Sequence, residues 1–336
     1  MKLTDPVIGG GPRIQPGYVA FDSFGTKSMC LQVKTPELTL TIDPGASAAS
    51  NTFPLPYPKR QSLLHQYAEA CRQSCAASRA VVVSHYHLDH FLSRRDPEVY
   101  ADKAVFCKLL DDLPPKQKSR AETFHKSIDG LPEETVWADG RRFRFGRTEL
   151  SFTTPVWHGR HSAEPGTVIM TEVRRGRERL VHTSDVSGPT TRETTDIICA
   201  SKAQTVVLDG YPTSHLGSFA TDYDLVISII NVCRILAVKE LRTLVIDHHM
   251  CRDYRYPAFF KLAYARAKAL SKIFGTAAEI QGRTSAVLQG YQDFGPTKWS
   301  KWVPLELDSA RQVLEKAVEQ KQADRSWLKE FDRWVG

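Results

Sequence analysis

The stretch Arg79-Ala80-Val81-Val82-Val83-Ser84-His85-Tyr86-His87-Leu88-Asp89-His90-Phe91 decides the fold, because an apolar run ends there in three histidines and an aspartate. Val81, Val82 and Val83 are β-branched and show no polar alternation, which is the composition of a strand buried on both faces. The polar residues therefore begin where the strand stops. While the chain stays extended, His85 and His87 point the same way and can reach one cation. Asp89 and His90 are adjacent, must point elsewhere, and are better placed to hold a second cation beside the first. Imidazole with carboxylate suits zinc, iron or manganese, and two metals about 3.5–4 Å apart form a known hydrolytic arrangement.

His85-Tyr86-His87-Leu88-Asp89-His90 resembles the signature of the metallo-β-lactamase-fold hydrolases. Further along, Pro155-Val156-Trp157-His158-Gly159, Ser184-Asp185-Val186-Ser187-Gly188-Pro189 and Asp247-His248-His249-Met250-Cys251-Arg252-Asp253 are similar to a prokaryotic branch of predicted metallo-hydrolases. The resemblance runs from Met29 to Arg255 by ordered motifs and brings a fold without a substrate. It implies an α/β chain folded as a four-layer αββα sandwich. One metal would be held by His85, His87 and His158, the other by Asp89, His90 and His248, with Asp185 bridging them. His161 competes with His158 for its role, and His249 with His248. By the same resemblance Asp43 steadies a ligand histidine from behind, although an aspartate before Pro44 is also an ordinary turn-former. Asp89 is expected to help move protons, and His249 to face the substrate.

The 336 residues can bury a large core, and 41% apolar with 25% charged residues is ordinary for a soluble protein. No stretch reaches membrane-spanning length, and Met1-Lys2-Leu3-Thr4-Asp5-Pro6 lacks the apolar core of a signal peptide, so the expected location is cytoplasmic. Seven cysteines without a CxxC pair indicate neither a disulfide framework nor a thiolate zinc site. The net charge of +7 and a pI near 9.0 favour anions and admit nucleic acid, but no zinc-finger spacing or RNA-binding signature accompanies them.

Short strands recur at Met29–Val33, Leu38–Ile42, Ala104–Cys107, Thr167–Glu172, Arg179–Val181, Ala203–Leu208 and Thr243–Ile246, with a hairpin about Gly146. Helices are expected over Gln61–Ser78, Asp222–Ala237 and Pro257–Phe274, the last closed by Gly275. The segment before Ser28, with Gly9-Gly10-Gly11-Pro12, reads as an irregular lead-in, and His125 reads as lying on a solvated helix face. Residues 1–295 would form the hydrolase domain and 296–336 a helical extension packed on it, with a homo-oligomer left open.

The expected activity is hydrolysis by a hydroxide held on two divalent metal ions, zinc first with iron or manganese as alternatives. A phosphodiester or other anionic ester is the expected small-molecule substrate. Thioester or lactone hydrolysis, or diiron oxidoreductase chemistry on the same fold, are the competing readings.

Overall fold

Around the valine run a six-stranded sheet forms. It comprises β1 (Gln15–Phe21), β2 (Met29–Lys34), β3 (Thr39–Ile42), β4 (Ala80–Val83), β5 (Ala104–Cys107) and β6 (Glu134–Trp137), in that spatial order. β1 to β3 pair antiparallel, whereas β3 to β6 pair parallel. The computed structural model describes residues 14–92, 96–111, 113–297 and 307–336.

The following strands are β7 (Arg142–Phe145), β8 (Thr148–Phe152), β9 (Val156–Trp157), β10 (Thr167–Val168), β11 (Thr171–Arg175), β12 (Glu178–His182), β13 (Thr205–Asp209), β14 (Thr243–Asp247) and β15 (Ile273–Gly275). β9 and β10 form a separate ribbon. The rest make a second sheet in the order β7-β8-β11-β12-β13-β14-β15, antiparallel as far as β12 and parallel beyond it.

Helices α1 (Tyr57–Ala76) and α2 (Pro115–Ile128) cover the first sheet, and their Tyr67, Cys71, Ala121 and Phe124 share its core. That core also takes in Leu150, Val173, Val207 and Val245 of the second sheet, so the two sheets face each other. Successive strand residues point to opposite faces. Accordingly Val206, Leu208, Leu244 and Ile246 turn to the other side, against α3 (Arg192–Ser201) and α4 (Asp222–Leu236). The chain is thus an α/β four-layer αββα sandwich. α5 (Tyr256–Phe259), α6 (Lys261–Ala269), α7 (Ala277–Ile280) and α8 (Ala286–Phe294) follow, and α9 (Leu307–Glu319) and α10 (Ser326–Trp334) pack on α4.

Val81, Val82 and Val83 are wholly buried, each contributing roughly 1.5–3 kcal/mol by area, which fixes the strand and leaves its end to carry polar groups.

Three expectations change. Residues 15–21 are a strand: Gly17-Tyr18-Val19-Ala20-Phe21 pairs with β2, and only Met1 to Arg13 of the lead-in lies outside the described residues. The Pro257–Phe274 helix is broken, because Leu270 ends α6 and residues 273–275 join the sheet edge beside β14, which puts Gly275 in a strand. His125 lies against Trp137 and bonds the hydroxyl of Tyr86 at 2.9 Å, so its environment is half-buried. The helical period placed it correctly in α2, but β6 covers that face.

Candidate metal centre

Parallel strands β3, β4, β12, β13 and β14 all end in polar residues, and their carboxyl ends meet in one place, as open α/β sheets arrange their crevices. Tyr86 is fully buried, its hydroxyl donating to the carbonyl of Lys108 at 2.6 Å, and this turns His85 and His87 together toward the opposite side. Their facing nitrogens are 3.0 Å apart.

Asp185, 1% exposed, sits at the middle. Its Oδ2 lies 3.4 Å from His85 Nε2, 3.8 Å from His87 Nδ1 and 3.1 Å from His158 Nε2. Its Oδ1 lies 3.0 Å from His90 Nε2 and 3.3 Å from His248 Nε2. Asp89 Oδ2 is 3.9 Å from His248 Nε2. All seven residues singled out from the sequence therefore come together, as two sets that meet on the two oxygens of one carboxylate. His161 does not join them: it is exposed and its Nε2 faces Glu193 at 3.4 Å.

The nitrogens turned away from the centre are held in place. His90 Nδ1 donates to Asp43 at 3.0 Å, His248 Nδ1 to Asp22 at 2.8 Å, and His249 Nδ1 to Asp209 at 2.9 Å. Serine hydroxyls serve the others: Ser84 and Ser184 stand 3.1 and 3.2 Å from His85 Nδ1, and Ser187 stands 3.2 Å from His158 Nδ1. Such outer partners fix ring orientation and tautomer and leave the inner nitrogen's lone pair free for a cation.

Burial, and next the charge of His90, keep His85 well below the usual histidine range, so its lone pair is available. His249 is held low in the same way, by burial and by Arg252. Burial opposes charge on Asp185, yet His90, His248 and His85 around it hold its carboxyl well below the ordinary carboxylate range. Asp209 goes the other way: burial, then the Asp185 charge, raise it to about 7.

Whether these residues fit a cation is tested by two atoms. His90 Nε2 and Asp185 Oδ1 are both buried, lie 3.0 Å apart, and yet neither makes a regular hydrogen bond among the described residues. Buried polar atoms are nearly always satisfied, so two such atoms side by side, each without a bond, call for a further group that both can meet. A divalent ion suits a nitrogen lone pair and a carboxylate oxygen together. Four donor groups of this kind, each with its donor atoms within 4.8 Å of one another, occur among the described residues, all around Asp185 or its immediate neighbours.

The backbone is bent to make this possible. His248 adopts φ +62°, and Asp43, Ser184 and Ser187 also take left-handed values of +50°, +56° and +50°. Non-glycine residues rarely do so, and such positions collect at functional sites. At His248 the bend lets two consecutive histidines both face the centre. Gly45 is required by proximity: a Cβ there would lie 2.3 Å from the backbone of Asp89 and His90.

Sequence reasoning missed Asp22, gave no task to Asp209, and read Arg252 only as a basic group near the last ligand that favours an anionic ester. Asp22 Oδ1 also accepts from Ser28 N at 2.8 Å, and its Oδ2 accepts from Arg252 Nε at 2.5 Å. Arg252 Nη2 reaches Asp89 Oδ2 at 3.3 Å. The available signal was Tyr18-Val19-Ala20-Phe21-Asp22, a β-rich run closed by aspartate, the same pattern as Ile42-Asp43.

A family model described as "Beta-lactamase superfamily domain" matches residues 39–214. The chain belongs to that superfamily. Within the superfamily it is 34% identical over 303 residues to a UPF0282 protein of Metallosphaera sedula, covering 85% of this chain and 95% of that one. A UPF0282 protein of Korarchaeum cryptofilum is 33% identical over 280 residues, covering 82% and 92%. Among solved structures, the metallo-β-lactamase fold protein YhfI from Bacillus subtilis is similar with TM-score 0.47 and 14% identity, over 78% of this chain and 95% of that one. The superfamily match contains Asp43, the His85–His90 run, His158, Asp185 and Asp209, whereas Asp22, His248, His249 and Arg252 lie outside it. No helix among the described residues is long and apolar enough to cross a membrane.

Proposed function

We propose that this chain is a dinuclear metal-dependent hydrolase acting on a phosphodiester or a similar anionic ester. The observation that carries the reading is the division of Asp185, Oδ2 toward His85, His87 and His158, and Oδ1 toward His90 and His248. His85, His87 and His158 would hold one ion, Asp89, His90 and His248 the other, and Asp185 both, since each carboxylate oxygen can take one cation. When bound, two divalent ions, zinc first by donor chemistry and otherwise iron or manganese, acidify water and polarise an ester or phosphoryl oxygen.

The chain's own groups do the rest. A cleft of about 790 Å³ opens over His87, His158, Asp185 and His249. Lys27, Arg120, Arg160 and Arg252 line it, which favours an anionic substrate over a neutral lactone. Arg160 is engaged by Asp224 at 3.1 Å and Arg252 by Asp22, whereas Lys27 and Arg120 enter no salt bridge among the described residues and are left to meet the substrate. Asp89 is partly open to the cleft between Arg252 and His248 and accepts the proton released as water attacks. His249 faces the same cleft with its Nδ1 on Asp209 and its other nitrogen unprotonated, so it takes a proton from water and passes it to the leaving oxygen.

Elemental analysis of the purified protein, followed by bis(p-nitrophenyl) phosphate, lactone and thioester substrates, tests the assignment. Asp185→Asn is expected to lose both metal and phosphodiester turnover, by at least about a hundredfold, since bridging and charge go together. A metal-free preparation with full turnover would end the proposal.

A further inference from the structure

The cleft has an aromatic wall whose exposure hydrolysis alone does not explain. Phe219 is 63% exposed, and its ring stacks on His215 at 4.3 Å between centroids with 27° between planes. Both residues line the cleft that opens over His158, Asp185 and His249. A lone exposed phenylalanine is ordinary on a protein surface. This one is set apart by how firmly it is held.

Ser218 N and Ala220 N both donate to the carbonyl of His215, at 3.0 and 3.2 Å. Arg160 Nη2 donates to the carbonyl of Phe219 at 3.3 Å, and its Nη1 to the hydroxyl of Tyr223 at 3.2 Å. Tyr211 closes the turn from beneath, its hydroxyl donating to the carbonyl of Thr221 at 3.0 Å and accepting from Thr221 N at 2.9 Å. Tyr211 lies two residues past Asp209, the partner of His249. The exposed ring is therefore referenced, through one short segment, to a histidine of the centre. Having its orientation fixed in advance lowers what a ligand must lose in ordering it.

We propose that the cleft takes a phosphoester whose organic group is a planar, nucleoside-sized ring system stacked on Phe219, with its phosphate toward Lys27 and the metal centre. This rests on the hydrolase reading and names its substrate class. The space fits, because about 790 Å³ is far more than a simple alkyl phosphate fills and lies in the range that encloses a drug-sized ligand. Ring stacking supplies affinity without requiring a base-specific hydrogen bond.

The test compares AMP with ribose 5-phosphate by titration calorimetry on metal-loaded protein, probes that share a phosphate and differ in the ring. AMP is expected to bind about tenfold tighter, the scale of one stacked base. Phe219→Ala should bring that ratio close to one, and Phe219→Trp should keep it. Equal affinities in the parent, a ratio unchanged in Phe219→Ala, or no binding of AMP would overturn the proposal. Turnover of thymidine 5′-p-nitrophenyl phosphate and methyl p-nitrophenyl phosphate is measured alongside. Ring-dependent AMP binding with neither diester cleaved keeps the stacking site and removes the hydrolase; cleavage of both without ring preference in binding or turnover does the reverse.

Discussion

Replacing Asp22 by asparagine separates the two halves of the centre. The side chain is buried, and its oxygens accept from three donors: His248 Nδ1 and Ser28 N on Oδ1, and Arg252 Nε on Oδ2. An amide of the same size offers one acceptor oxygen. Whichever way it sits, its NH2 group faces an N–H, so a charge-assisted bond is lost and a buried donor is left unsatisfied, costing about 1–3 kcal/mol. The carboxylate behind a ligand imidazole typically supports metal affinity by roughly 10–100-fold, or about 1.4–2.7 kcal/mol. That loss falls on the cation assigned to Asp89, His90 and His248. The other set keeps its supports, because Ser84, Ser184 and Ser187 do not touch Asp22. Zinc titration of the stripped protein against a chromophoric competitor reads both affinities, and elemental analysis after dialysis reads the number retained. One ion per chain should remain at parent affinity while the second weakens by roughly 10–100-fold. Two unchanged affinities, or two that fall by one common factor, would refute the division of the centre into sets.

Gly45→Ala should be destabilising by about 1–3 kcal/mol and should lower metal content, because its Cβ would strike the backbone carrying Asp89 and His90 rather than a movable side-chain tip. A urea midpoint equal to the parent's would show that the close approach is not needed. His125 supplies a pH effect outside the centre, since burial lowers it from 6.5 to about 4. The folded chain then holds fewer protons than the unfolded chain between those values, so this part of the stability is complete above about pH 6.5 and is lost as pH falls through 4. His125→Gln, which keeps a donor toward the Tyr86 hydroxyl, should flatten the urea midpoint between pH 7 and 4.5 relative to the parent; identical slopes would assign the acid sensitivity elsewhere.

Much of this architecture was legible because it follows from short-range rules. A valine run without alternation has to be buried on both faces, and two histidines with one residue between them have to point alike. The strands at Ala104–Cys107 and Thr243–Asp247 read the same way. Misreadings arose where tertiary contact overrode the local signal. The apolar period of residues 257–274 looks helical throughout, but its last residues complete the sheet beside β14. His125 falls on the polar side of its helix, and only the arrival of Trp137 from β6 covers it.

The supports of the two donor sets were unequally legible for a reason that also bears on their chemistry. His85 and His158 lean on hydroxyls of Ser84, Ser184 and Ser187, which stand inside or beside the motifs that carry the donors. His90 and His248 lean on Asp43 and Asp22, carboxylates delivered by the ends of other strands, 47 and 226 residues away in the chain. A neutral hydroxyl orients a ring, whereas a carboxylate also raises its basicity through a charge-assisted bond. The second set thus gains stronger donors, and it does so from positions that no window on the motif itself includes. Asp22 escaped notice because an aspartate after a strand acquires this function only once β1 has been brought alongside β2 and its turn set against residues 248–252.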